Sequence, residues 1–183
     1  YVAYKLLFGA NNKMPSATNK TQKINTKDKL TAKNKCITQS NNNDNANKTI
    51  TKIAIIVKPI RKTAEEFKIK KTYKAVENAL SSYGIKTYID KQTALTLQKM
   101  GLGVIASKQN IELLSKKVDM FITIGGDGVI ISTISQSYHN LKPTIGINMG
   151  KLGFLAHLNE DTFKSFLQNI KTRNYKKKKR ILL

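Results

Sequence analysis

The chain has 183 residues, enough for one domain with a core of ordinary size, and its 33 lysines and arginines against 11 acids give a formal charge of +22. A single cysteine, Cys36, excludes an intrachain disulfide and a cysteine-rich metal centre, and His139 and His157 are too few to build a metal site. The basic excess is nearly all lysine, accompanies abundant asparagine and isoleucine, and is spread along the whole chain, so it reads as compositional bias and not as a dedicated nucleic-acid patch.

Residues 1–10 are apolar in patches but carry Lys5 and no small-residue cleavage pattern, which argues against a signal peptide. Residues 11 to about 49 are lysine, asparagine and threonine, with Asn41-Asn42-Asn43-Asp44-Asn45 as the extreme. Such a segment buries too little apolar surface to offset chain entropy, so 1–49 is expected to be disordered. Its charge would suit an organellar transit peptide, but arginine is missing and Asp28 and Asp44 are present. No apolar run approaches the ~18 residues needed to cross a bilayer, so no membrane partner is expected.

Order is expected from about residue 50 to 175. Ile53-Ala54-Ile55-Ile56-Val57 reads as a buried strand ended by Lys58-Pro59. Phe67, Ile69, Tyr73, Val76, Leu80 and Tyr83 then recur at helical spacing, and Gly84 closes that helix. Ile85–Ile89 alternates as a strand. Leu95, Leu97 and Met100 suggest a short helix, Gly101–Ile105 a loop or strand, and Ile111–Lys116 another short helix. Met120–Ile124 is a strand apolar on both faces, Val129–Tyr138 a helix, and Pro143–Asn148 a further strand. Asn159 can cap a last helix, whose positive end suits Glu160 and Asp161 and whose stripe is Phe163, Phe166, Leu167 and Ile170. The basic run Lys176–Arg180 reads as a linker ahead of Ile181-Leu182-Leu183. Strands alternating with helices predict an α/β fold, an open, mostly parallel sheet with helices on both faces.

The chemistry concentrates after the Met120–Ile124 strand, in Gly125-Gly126-Asp127-Gly128. Strand, glycine turn, helix is the layout in which backbone N–H groups cradle a phosphate. A carboxylate inside such a turn repels the ligand unless it holds a metal or takes a proton, which points to phosphoryl transfer. The turn is not G-x-G-x-x-G, and Gly146–Leu152 falls one residue short of a P-loop.

GGDG followed about twenty residues later by T-I-G-I-N-M-G-K-L-G-F-L resembles the NAD kinase family, whose motifs match Gly125–Gly128 and Gly146–Leu155. The opening strand-Lys-Pro and the closing Asn-Tyr-Lys…Arg-Ile-Leu-Leu fit as well, so the resemblance covers roughly residues 52–183. It implies a Rossmann-like N-terminal domain, a cytoplasmic location and a homo-oligomeric whole protein. The implied reaction transfers the ATP γ-phosphate to the 2′-hydroxyl of the adenosine ribose of NAD, with a divalent metal, magnesium or manganese. The resemblance further implies that Asp127 is the general base, that Gly125, Gly126 and Gly128 leave room for the nucleotide phosphates, and that Phe154 lines the NAD pocket.

Two positions depart from the family, Val129 where threonine is usual and Ala156 where a polar residue is common. The family's second, all-β domain is also missing. Residues 176–183 are therefore expected to lead into it, and catalysis by residues 1–183 alone is not expected. GGDG by itself is shared with phosphofructokinases and lipid kinases, which leaves a related lipid or sugar kinase as one alternative. A non-catalytic basic binding module is another.

Overall fold

The computed structural model describes residues 2–7, 49–60, 63–105, 107–149 and 155–181. The segment 8–48, most of the stretch expected to be disordered, and Phe154 lie outside the described residues. In chain order the elements are β1 (Val2–Leu7), β2 (Lys52–Val57), α1 (Thr63–Ser82), β3 (Lys86–Ile89), α2 (Lys91–Lys99), α3 (Ile111–Ser115), β4 (Met120–Gly125) and α4 (Asp127–Gln136). A 3-10 turn at Tyr138–Asn140, β5 (Thr144–Asn148), β6 (Ala156–Leu158), α5 (Glu160–Lys171) and β7 (Lys176–Ile181) follow.

β2 to β6 form one five-stranded sheet in the order β3-β2-β4-β5-β6, with every neighbouring pair parallel. A parallel sheet needs helices on both faces, and its central strands lose the apolar–polar alternation for that reason. β4 is buried at every position. Met120, Ile122 and Ile124 pack with Ile69, Tyr73, Val76 and Leu80 of α1 and with Phe163 and Phe166 of α5. Phe121 points the other way, to Ile111 and Leu114 of α3. α4 covers that second face through Ile130 and Ile134, which meet Ala156 of β6.

Helix ends follow local chemistry. Gly84 and Gly101, at φ +69° and +71°, let the Ile85 and Leu102 amides reach back to the Leu80 and Leu97 carbonyls, each at 3.0 Å. Both apolar pairs are buried, so each glycine turn also closes a hydrophobic contact. α5 begins with a capping box between Asn159 and Thr162, their reciprocal bonds measuring 2.8 and 3.0 Å. Just past its C-cap Thr172, Arg173 takes φ 57° without being glycine, and its guanidinium donates to Thr49 Oγ1 at 2.6 Å.

Several expectations from sequence differ from the structure. Residues 2–7, placed in the disordered 1–49 stretch, form strand β1, because pairing with a distant strand is not visible in local composition. Tyr83, placed in the α1 stripe, lies beyond the end of the helix and is exposed. Phe67 is 78% exposed. It precedes Ile69 by two residues, a rotation of about 200°, and so faces away from the stripe. Leu95 is exposed for the same reason relative to Leu97. The basic run at 176–181, expected as a linker, is strand β7, paired antiparallel with β1 from Val2↔Ile181 to Leu7↔Lys176. Lysine is common on edge strands, so charge alone does not exclude pairing there.

The α1 stripe therefore predicts a sharp contrast in urea melts. Ile69→Ala should cost about 2–5 kcal/mol of stability. Phe67→Ala should stay within about 0.5 kcal/mol of the parent.

Candidate active site

From β2 the chain passes to β3 on one side of it, and later enters β4 on the other side. In an open parallel sheet that reversal opens a crevice beyond the carboxyl ends of the two diverging strands. Val57 pairs with Ile124, so the two ends are level, and the Lys58 amide donates to the Ile124 carbonyl at 3.0 Å. Beyond them lies a cavity of about 780 Å³ lined by Val57, Lys58, Glu65 and Asp90 on one side and by Gly126 and Gly128 on the other. Ser132 and Gln136 extend its wall along α4.

The glycines of the turn divide by cause. A β-carbon on Gly125 would lie 2.7 Å from Val129 Cγ2 and 3.2 Å from Lys58 Cβ. One on Gly146 of β5 would lie 2.5 Å from Ile130 Cδ1 and 3.1 Å from the Ala156 backbone. Close approach of α4 to β4 and β5, and of β6 to β5, thus requires both. Gly126 and Gly128 are exposed, line the cavity, and would place a β-carbon in open space. Among the described residues, packing makes no demand for glycine at either. Gly126 is also the N-cap of α4 and has no side chain to cap it, and the Val129 amide donates to the Gly126 carbonyl at 3.1 Å.

Asp127 opens α4, half-buried, and is not part of the cavity wall. Its Oδ1 accepts the Leu155 amide at 3.1 Å and the Ala156 amide at 3.0 Å. These bonds clamp the start of α4 to the start of β6 and fix the orientation of the carboxyl group. Ala156 is fully buried, beside the Gly146 site. The segment after β5 joins the same cluster: the Met149 amide donates to the Gly125 carbonyl at 3.3 Å, and Lys68 Nζ donates to the Met149 carbonyl at 2.9 Å. Gly125, Gly126, Asp127 and Gly128 are therefore gathered at one point, with the cavity on one side of the turn and the Asp127 clamp off its wall. The structure does not describe Phe154.

The sequence reading assigned no role to Lys58, Glu65 or Asp90. Lys58 Nζ and Glu65 Oε2 form an ion pair at 2.6 Å. Asp90 is buried and caps α2, accepting the Gln92 and Thr93 amides at 3.1 Å each, while Thr93 Oγ1 accepts the Val57 amide at 2.9 Å. Position in the fold was the available signal for Lys58, because it follows the first strand of a doubly wound sheet and so borders the crevice. Among the described residues no group of three or more metal-binding side chains converges.

Residues 53–175 match the ATP-NAD kinase N-terminal domain. A NAD kinase of Sulfurimonas denitrificans is 34% identical over 137 residues, which cover 75% of this chain and 44% of that one. One of Wolinella succinogenes is 30% identical over 135 residues, covering 74% and 42%. The chain thus spans under half the length of these curated relatives. In fold it resembles a yeast NADH kinase crystallised with NADH, at a TM-score of 0.55 and 17% identity, over 69% of this chain and 39% of that one.

The Asp127 clamp separates two substitutions. Asp127→Ala removes the acceptor of two amides and should lower stability by about 1–3 kcal/mol in denaturant melts. Asp127→Asn retains an oxygen in the same place and should lose less than half as much. Equal losses would show that the charge, and not the pair of bonds, holds β6 to α4.

Proposed function

The chain belongs to the NAD kinase family through its N-terminal domain, and on that basis we propose that the protein transfers the γ-phosphate of ATP to the 2′-hydroxyl of the adenosine ribose of NAD, giving NADP. The observation that carries this reading is the pair Gly126 and Gly128, glycines that no packing among the described residues requires, at a helix N-terminus bordering a cavity at the switch point. In this reading the phosphoryl donor lies in the cavity between β2 and β4, with its phosphates against the glycine turn. The acceptor ribose lies across the turn, at Asp127.

The 2′-oxygen attacks the γ-phosphorus, the bond to the β-phosphate oxygen breaks, ADP leaves, and the hydroxyl proton passes to the Asp127 carboxylate. A base must hold its oxygens still, and the bonds from the Leu155 and Ala156 amides supply that restraint. Gly125 acts indirectly, by letting α4 and Lys58 approach closely enough to place the turn. Phe154 keeps the role of lining the NAD pocket on the strength of the family resemblance alone. A divalent metal enters as the complex of ATP, bound mainly by phosphate oxygens, as magnesium commonly is in kinases.

The cytoplasmic location and a homo-oligomeric whole protein rest on the same resemblance. The described residues contain no helix long and apolar enough to cross a membrane. We also propose the division of the chain read from its sequence, with an α/β nucleotide-binding unit from about 50 to 175.

The test is a chimera in which residues 53–175 replace the matching domain of one of the relatives, assayed for NADP formation. Asp127→Asn should lower kcat by about 100-fold or more, with the KM for ATP unchanged or lower. An unchanged kcat would remove Asp127 as the base. Gly126→Ala and Gly128→Ala should leave the melting temperature unchanged while raising the KM for ATP. If both keep the parent KM, the glycine turn does not hold the phosphates.

A further inference from the structure

We infer that Lys58 grips the terminal phosphates of the nucleotide in the cavity, and that Glu65 holds Lys58 in place beforehand and competes with the nucleotide for it. This rests on the reading of the cavity given above and names the group that provides its positive charge.

Lys58 directly follows β2. Its amide is bonded to the Ile124 carbonyl, and its Cβ lies 3.2 Å from the position a Gly125 β-carbon would take. The base of the side chain is thus fixed beside the glycine turn, and the side chain lines the same cavity as Gly126 and Gly128. Lys58 is the one cation among the described residues of the cavity wall. An ammonium group carries three donors on a flexible stem, which suits a phosphate chain.

The wall also holds two carboxylates, which would repel a polyanion if nothing offset them. Asp90 is met by the first-turn amides of α2. Glu65 is met by Lys58. The ion-paired side chains are 26% and 40% exposed, so the pair adds little to stability and its partners are open to exchange. When Lys58 turns to a phosphate it gives up its bond to Glu65, and the strength of that bond is subtracted from nucleotide affinity. Glu65 thereby sets a threshold. Ligands with several clustered negative charges outcompete a single carboxylate, and those with few do not.

The experiment is calorimetric titration of the 183-residue chain with metal-free tripolyphosphate, ATP and adenosine, beside thermal melts of each variant. Lys58→Met keeps the length of the stem and should weaken tripolyphosphate and ATP binding about tenfold or more, leaving adenosine unaffected. Glu65→Gln should strengthen binding of both anions about two- to fivefold. In the Lys58→Met background Glu65→Gln should strengthen anion binding by less than in the wild type, because relief of its repulsion remains and release of Lys58 does not. Unchanged anion affinity in Lys58→Met overturns the inference while leaving the proposed function standing. Weaker anion binding in Glu65→Gln also overturns it, since Glu65 would then be part of the site and not a competitor. If Lys58→Met fails to fold, Glu65→Gln decides, because only a gain confined to the anions supports competition. A wild-type chain that binds neither tripolyphosphate nor ATP overturns the reading of the cavity itself, and this inference with it.

Discussion

The parallel pairing of β2 with β4 is the contact on which the site depends. Its register sets Ile53 against Met120 and Val57 against Ile124, so both strands stop at the same height. The next residues, Lys58 and Gly125, then face each other across the top of the sheet, and the Lys58 amide closes the ladder on Ile124. A slip of one residue would turn Ile122 and Ile124 from the α1–α5 face to the α3–α4 face and carry Lys58 away from the glycine turn. Strong burial on both faces is what forbids the slip. Accuracy at the crevice is therefore a by-product of apolar packing beneath it.

Above that platform, similar residues serve different ends. Gly125 and Gly146 are small because Val129, Ile130 and Ala156 occupy the space a side chain would need. Gly126 and Gly128 are small with open space before them. Asp127 stands between, joined by its carboxylate to the backbone of β6. The turn thus combines packing constraints inherited from the sheet with exposed positions that the sheet leaves unconstrained. Substitutions one residue apart are read by different assays, stability for one and binding for the next.

Much of this was legible in the sequence, and the boundary of what was legible has physical causes. β2, β4 and β5 were readable because strands buried on both faces are continuous apolar runs. α5 was readable because its cap and stripe are both local. Phe67 was misplaced because a list of apolar residues does not by itself fix a helical phase. β7 was misread because pairing with β1, far away in sequence, is invisible to a local reading of charge. β6 has three residues, too few for any period, and so its bond to Asp127 could not be foreseen. The Lys58–Glu65 pair was missed for a related reason: its meaning comes from strand order, which local patterns do not contain.

The bond from Arg173 to Thr49 has a mechanical consequence. It joins the residues just before β2 to those just after α5, at the amino ends of the strands. The glycine turn sits at the opposite edge, about 20 Å away across a six-residue strand. The two flanks are thus tied at the rim opposite the crevice, so lengthening or truncating either flank meets the sheet at the end farther from the glycine turn.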